Sequence, residues 1–196
     1  MIYQPINFDS ILGIQHLSDK LLKDHFLLYQ GYVNNTNKLL QILDILSKED
    51  MTNSPEFSEI KRRLGWEWNG IRLHEYYFSN IIKGGKILDT NTNLYKNIVD
   101  DFGSYQNWER DFKATGLIRG VGWVILYYDP LVGKLFNIWI DEHNTNHLCG
   151  GYPVLVIDLF EHAYMMDFGI NKSAYIDAFF KMVNWEINPE IDKIFR

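Results

Sequence analysis

The chain has 196 residues, 46% of them hydrophobic, which is enough to bury one large core or two small, closely packed ones. Its formal net charge of −6 excludes a general nucleic-acid binder, because neutralising phosphates needs clustered Lys and Arg. The lone cysteine, Cys149, favours a reducing compartment such as the cytoplasm. No run approaches the roughly 20 apolar residues of a membrane span, and Met1 to Asp9 carry no export signal.

A long amphipathic helix is predicted from Ser18 to about Leu46 by apolar residues at helical spacing. His25, Tyr29 and Tyr32 follow one another at i, i+4 and i+7, so an imidazole and two phenols share one face. Gly31 inside this helix predicts close packing or a local irregularity, since glycine costs about 1 kcal/mol against alanine in a helix interior.

A second helix is predicted from about Ser58 to Ile82, after the turn signature Asn53-Ser54-Pro55, so the two form a hairpin. His74 lies in this helix among aromatic side chains. Alone, such a histidine is more often a hydrogen-bonded core residue than a metal ligand.

The pair Gly84-Gly85 is the predicted boundary between an N-terminal helical hairpin domain, residues 1–88, and a C-terminal domain, residues 89–196. Two short helices follow, Thr92 to Phe102 and Tyr105 to Ala114. After these helices, the spacing of the apolar residues changes from that of a helix to that of strands, and the segments become rich in Val, Ile, Trp, Tyr and Phe. The predicted strands are Gly120 to Tyr128, Lys134 to Ile140 and Pro153 to Asp158.

These strands predict a small antiparallel sheet, and helices are predicted again at Glu161 to Phe168 and at Lys172 to about Trp185. The fold class is therefore α+β, with a long helical hairpin followed by a three-stranded antiparallel sheet flanked by helices. The loop between the last two strands carries His143 and His147, of which His147 is interpreted as a loop or surface histidine.

Asp158 and His162 lie four residues apart where the last strand ends, a spacing that suits a metal site. The same spacing also occurs in an ordinary hydrogen-bonded pair on one helix face. Further ligands are needed to decide between the two interpretations.

Several motifs together resemble the iron/manganese superoxide dismutase family over essentially the whole chain. Asp158 to Tyr164 is similar to the family's Asp-x-Trp-Glu-His-Ala-Tyr signature. The other motifs are Tyr32-Val33-Asn34-Asn35, Gly120-x-Gly122-Trp123 and Val183-Asn184-Trp185.

The resemblance implies that His25, His74, Asp158 and His162 bind one iron or manganese ion per subunit, between the two domains. The ion would cycle between two oxidation states, converting superoxide to dioxygen and hydrogen peroxide. Family spacing counted back from Tyr32 reaches Asp24 rather than His25; His25 is preferred because the family ligand there is an imidazole.

By the same resemblance, Tyr32 is the gateway proton donor and His143 tunes the bound solvent, at a place where the family commonly has glutamine. Counting back from Asp158 instead reaches Glu142. Phe160 replaces the signature tryptophan and, with Trp123, walls the site; Trp66 and Phe78 are further candidates for that wall.

The resemblance also implies a homodimer or a tetramer of two-fold dimers. In the family, the residue at Glu161 reaches across the interface to the partner's ligand corresponding to His162. Tyr29 and Met165 stand where the family usually pairs a histidine with a tyrosine across that interface, which suggests a repacked apolar contact.

Two other functions stay open at this point. The shortened spacing from His25 to Tyr32, together with Phe160, leaves room for a catalytically weak homologue whose metal serves structure or another role. A metal-dependent oxygenase or hydrolase is the third possibility, disfavoured because the sequence shows no separate substrate cleft.

Overall fold

The computed structural model of the protein describes residues 2–186 and 192–195. Within those two ranges, none of the helices has both the length and the apolar character needed to cross a membrane. The described elements are α1 (Asp19–Lys48), α2 (Pro55–Ser79), α3 (Asn93–Phe102), α4 (Tyr105–Gly116), β1 (Gly122–Asp129), β2 (Lys134–Asp141), β3 (Tyr152–Asp158), α5 (Met165–Phe168) and α6 (Lys172–Phe180). This order confirms the predicted α+β fold class.

The helical hairpin begins and turns where side-chain caps are available. The Ser18 hydroxyl accepts a hydrogen bond from the Leu21 N–H at 3.2 Å and starts α1. Ser54 caps α2 in the same way and Pro55 occupies its first turn, so α2 starts before the predicted Ser58. The prediction for Gly31 is wrong: α1 passes through it without interruption, and a Cβ there would meet nothing within 4 Å.

The sheet has the order β2-β1-β3, with both neighbours antiparallel to the central strand. β1 is buried over nearly its whole length, because helices cover the faces of the sheet while β2 and β3 flank its edges. Trp123 at the start of β1 pairs with Asp158 at the end of β3. Both side chains therefore lie at the same end of the sheet, beside the hairpin.

The C-terminal helices are shorter than predicted. The segment from Glu161 contains a 3-10 turn (Glu161–Ala163) and then α5, because Tyr164 has the non-helical angles φ −146° and ψ −26°. α6 ends at Phe180 rather than near Trp185. The following backbone is engaged elsewhere, since Val183 forms an antiparallel bridge with Ile81.

Asn80, at the C-cap of α2, joins the hairpin to the edge of the sheet. Its side-chain Oδ1 accepts a hydrogen bond from the N–H of Val156 in β3 at 2.8 Å, and its backbone oxygen accepts one from Asn184 at 2.7 Å. Val156 is fully buried. The hairpin is thus attached to the strand that ends at Asp158.

We expect Asn80→Ala to lower the free energy of unfolding by about 1–3 kcal/mol, because the Val156 N–H loses its partner in a buried position. Urea denaturation followed by circular dichroism measures the change. Asn91→Ala is the matched control: its side chain is exposed and, among residues 2–186 and 192–195, bonds to nearby Asp89 alone, so we expect a change within about 0.5 kcal/mol. Equal losses in both variants would contradict this account of Asn80.

Candidate metal centre

Four side chains from separate elements meet between the hairpin and the end of the sheet. His25 comes from α1, His74 from α2, Asp158 from the end of β3 and His162 from the 3-10 turn that follows. One potential ligand atom from each lies within 4.8 Å of the others. The Nε2 atoms of His25, His162 and His74 are 3.1, 3.3 and 3.7 Å from Oδ2 of Asp158. The structure thus brings together the four residues that the resemblance implies as ligands.

The orientation of His74 shows that this cluster fits a cation. Its Nδ1 lies 2.6 Å from the backbone oxygen of Gly70. A carbonyl oxygen only accepts, so Nδ1 carries the proton and Nε2 of the neutral ring presents a lone pair. That lone pair faces a carboxylate oxygen and, within the described part of the chain, has no hydrogen-bond partner. A metal ion would satisfy both groups.

Electrostatics keeps Asp158, His25 and His74 in the charge states that a metal ion requires. Burial favours the neutral form of Asp158, but the imidazoles of His162 and His25 outweigh it and hold the pKa of the carboxyl far below its usual range. Burial lowers the pKa of His25, and lowers that of His74 still further. Neutral imidazoles with one carboxylate suit iron or manganese.

The Asp158 carboxylate and backbone are both anchored. Its Oδ1 accepts a hydrogen bond from the N–H of Phe160 at 2.8 Å. The hydroxyl of Tyr175 donates to the Asp158 backbone oxygen at 2.9 Å and lies 3.1 Å from the hydroxyl of Tyr77. Both tyrosines are fully buried. The sequence prediction missed this pair, because only the packing of α6 on α2 brings them together.

A second group of side chains adjoins the four. Trp123 Nε1 donates to Nδ1 of His143 at 3.0 Å, and Nε2 of His143 lies 2.8 Å from the hydroxyl of Tyr32. An indole N–H is only a donor, so Nδ1 accepts and Nε2 carries the single proton of the neutral ring. Burial lowers the pKa of His143 to about 4, which keeps the ring neutral near pH 7. His143 therefore donates to the Tyr32 oxygen.

Tyr32 itself is packed between the helices of the hairpin. A Cβ added to Gly70 would lie 2.6 Å from the Tyr32 ring, so the glycine in α2 permits this close approach. The Tyr32 ring is 5.5 Å from that of Trp66 and 5.2 Å from that of His74, between centroids. Burial raises the pKa of Tyr32 well above 10, so the hydroxyl stays protonated and able to donate.

Asp24 and Glu142, the two residues reached by counting family spacing, do not occupy the positions of His25 and His143. Asp24 is outside the cluster, where its carboxylate pairs with Lys20 at 2.7 Å. Glu142 accepts a hydrogen bond from the Trp66 indole at 2.9 Å, while the neighbouring His143 contacts Tyr32. The geometry favours His25 and His143 over these two residues.

The aromatic wall contains Trp123 and Phe160. The Phe160 ring stacks on His143 and on His162, with centroids 4.8 and 5.4 Å apart. Trp123 meets His74 edge to face at 5.1 Å. Flat apolar surfaces thus surround the polar atoms of the site and limit the water that reaches them.

The residues expected at an interface have different environments. Tyr29 is buried within the protomer, where its hydroxyl donates to Glu75 at 2.9 Å and accepts from the Ile6 N–H at 3.0 Å. Met165 is 39% exposed and Glu161 is exposed. Glu161 makes no side-chain hydrogen bond or ion pair with residues 2–186 and 192–195. Met165 and Glu161 are thus accessible to a partner, whereas Tyr29 is not.

His147 lies in the loop after β2, one of the two placements interpreted from the sequence, and it is not fully exposed. The side chain is half-buried and bonds to the Tyr127 hydroxyl and to the backbone oxygen of His143. Asn69, also missed, donates to the same oxygen at 2.7 Å. Nothing in the spacing indicated either contact, since both depend on the path of the loop after β2.

Comparison with known proteins agrees with the family resemblance of the sequence motifs. Residues 90–190 match the family model described as iron/manganese superoxide dismutases, C-terminal domain. The chain is 37% identical over 174 residues to a superoxide dismutase [Fe] of Cupriavidus metallidurans, an alignment covering 87% of this chain and 85% of that protein. It is 34% identical to a superoxide dismutase [Fe] of Aquifex aeolicus, covering 91% and 85%. A superoxide dismutase [Mn] of Haloarcula marismortui is 31% identical, covering 93% and 88%.

The match spans the sheet, the turn with His162 and α6, and the relatives extend it through the hairpin that supplies His25 and His74. Relatives of both metal types share this similarity, in agreement with a site of three imidazoles and one carboxylate. The chain belongs to the iron/manganese superoxide dismutase family.

Proposed function

We propose that the protein is a superoxide dismutase that binds one iron or manganese ion per subunit through His25, His74, Asp158 and His162. The observation that carries the proposal is the unpaired Nε2 of His74 facing the Asp158 carboxylate inside a four-residue cluster. When bound, the ion would supply one-electron redox chemistry, by which one superoxide is oxidised to dioxygen and a second is reduced, with two protons, to hydrogen peroxide.

The chain's own residues define the ion's surroundings. Asp158 places a negative charge at the centre, and His74 is aimed by its bond to the Gly70 oxygen. Each ligand belongs to a different backbone segment, so the packing of the hairpin on the sheet sets their spacing. The proposed boundary between the two domains, near residue 88, leaves His25 and His74 on one side and Asp158 and His162 on the other.

Proton supply is assigned to Tyr32, and the orientation of its hydroxyl to His143. Reduction of superoxide to hydrogen peroxide consumes two protons, and Tyr32 remains protonated at neutral pH. His143 donates its only proton to the Tyr32 oxygen, which leaves the Tyr32 hydroxyl proton free to point into the site. The Trp123 indole fixes the direction of this hydrogen bond, because its N–H donates to Nδ1 of His143 and leaves the ring proton on Nε2.

We further propose a cytoplasmic homodimer, alone or paired into a tetramer, in which Glu161 reaches the partner's His162. Nε2 of His162 is buried, yet 26% of the side chain stays exposed, so other ring atoms are accessible from outside. The segment before β1 is attached to the first residue of α6 by the hydrogen bond from Lys172 Nζ to the Ile118 oxygen. Exposed apolar side chains lie in this segment and in α5. They are Leu117, Ile118, Val121, Met165 and Met166.

Replacing His25 with Ala separates a catalytic site from a structural one. We expect metal content to fall and dismutase activity to drop on the order of a hundredfold or more, with only a modest loss of thermal stability. Emission spectrometry, a superoxide assay and thermal denaturation measure the three quantities. His16→Asn, at an exposed histidine with φ 83°, is the control and should change none of them. A stability loss with full activity would indicate a structural metal.

Gly70→Ala tests the placement of Tyr32. The added methyl group would lie 2.6 Å from the ring and displace the hydroxyl from His143, so we expect kcat per bound metal ion to fall about tenfold. Steady-state kinetics normalised to bound metal measures the effect. Gly65→Ala in the same helix meets nothing within 4 Å and should leave kcat unchanged. An unchanged kcat in Gly70→Ala would remove the support for this role of Tyr32.

The dimer is tested by placing a charge in the apolar surface. Sedimentation velocity of the wild type should give about twice the 23.2 kDa chain mass or a multiple of it, and Val121→Asp should give single chains. Val132→Asp, at an exposed position in the turn between β1 and β2, should sediment like the wild type. A monomeric wild type would refute the dimer proposal.

A further inference from the structure

The loop that carries His143 has an unfavourable backbone conformation. Glu142 has φ 48° and Asn146 has φ 74°, both in the left-handed region that residues other than glycine rarely adopt. Such conformations persist only where surrounding contacts hold them. The backbone of His143, next to one of them, therefore needs external support to keep its side chain in place.

His147 supplies a contact of this kind. Its Nε2 lies 2.9 Å from the backbone oxygen of His143, and its Nδ1 lies 2.8 Å from the hydroxyl of Tyr127. The carbonyl oxygen only accepts, so Nε2 is the donor; Nδ1 of the neutral ring then accepts from Tyr127. Asn69 donates to the same carbonyl at 2.7 Å. Both ring nitrogens of His147 are thus hydrogen-bonded, Nδ1 to Tyr127 of β1 and Nε2 to the backbone of the loop.

We propose that His147 is a positioning residue, which fixes the His143 carbonyl and thereby aims the His143 imidazole at Tyr32. The inference rests on the proposed function, because it assigns His143 a role in that reaction. The alternative is that His147 only stabilises the loop.

β1 provides the common reference for both contacts. Trp123, which holds the His143 side chain, and Tyr127, which holds His147, are four residues apart and point to the same face of this strand. The imidazole and the carbonyl of His143 are therefore both tied to one strand. Losing one attachment lets the residue pivot about the other, which changes its distance from the Tyr32 hydroxyl.

The experiment compares His147→Leu with His147→Gln. Glutamine has both an N–H donor for the carbonyl and an oxygen acceptor for Tyr127, whereas leucine has neither. Two measurements are made on the full chain. The first is the proton resonance of the Trp123 indole N–H in metal-free protein, by nitrogen-15 correlated NMR. The second is kcat and KM of the metal-loaded enzyme, normalised to bound metal.

We expect His147→Leu to move the Trp123 resonance towards that of a free indole and to lower kcat about tenfold, at unchanged metal content. His147→Gln should keep kcat within about twofold of the wild type. Tyr127→Phe, which loses one hydroxyl group, should move the Trp123 resonance in the same direction but by less. This variant replaces His147→Leu in the test if the leucine variant does not fold. An unmoved resonance in both His147→Leu and Tyr127→Phe overturns the proposal.

The control for general loosening is Asn137→Ala in β2. It removes the hydrogen bonds of Asn137 with Trp108 and Asp111 without touching the His143 loop. It should lower thermal stability and leave the Trp123 resonance in place. An equal movement of that resonance, or equal kcat losses in His147→Gln and His147→Leu, also overturns the proposal. A wild type without dismutase activity refutes the proposed function alone, because the metal-free spectra still decide the role of His147.

Discussion

The Asp158 carboxylate is the constraint on which the rest of the structure depends. It is fully buried and ionised, and an isolated charge in that position would be very costly. Three imidazoles surround Oδ2, but His74 offers it a lone pair rather than a proton. The protein therefore assembles a site that its own groups leave incompletely satisfied. A bound cation completes the electrostatics, so metal binding and stable packing of the hairpin on the sheet support each other.

The scaffold holds this site through contacts far apart in sequence. Asn80 fastens the end of α2 to β3, and Tyr175 of α6 holds the backbone oxygen of Asp158 from the opposite side. Gly70 contributes twice, because its oxygen orients His74 while its missing side chain admits the Tyr32 ring. The distance between the two helices at this glycine thus determines the positions of both His74 and Tyr32, the proposed ligand and the proposed proton donor. A change that separates the helices would affect the two together.

Sequence patterns predicted the helices and strands well, because each repeats at a local period. They misplaced the end of α6, where pairing of Val183 with Ile81 overrides the local helical pattern. They assigned close packing or a local irregularity to Gly31, although the glycine of α1 and α2 that has a close neighbour is Gly70. The four ligand candidates came from resemblance to a family, and the structure brings them together. The loop position of His147 was predicted but its hydrogen bonds were not, because its partners depend on a loop conformation that spacing does not encode.

The choice of imidazole at residue 143 limits how protons are shared in the site. A side-chain amide has two N–H groups and could donate to Tyr32 and to a second acceptor at once, whereas a neutral imidazole has one. Here Trp123 occupies the ring's lone pair, so the single proton goes to the Tyr32 oxygen. In the proposed mechanism, Tyr32 is then the group of this pair whose proton is available to the reaction, and the role of His143 is to keep that hydroxyl in the required direction. Catalysis in this chain should therefore be more sensitive to the orientation of His143 than to its capacity to donate to solvent.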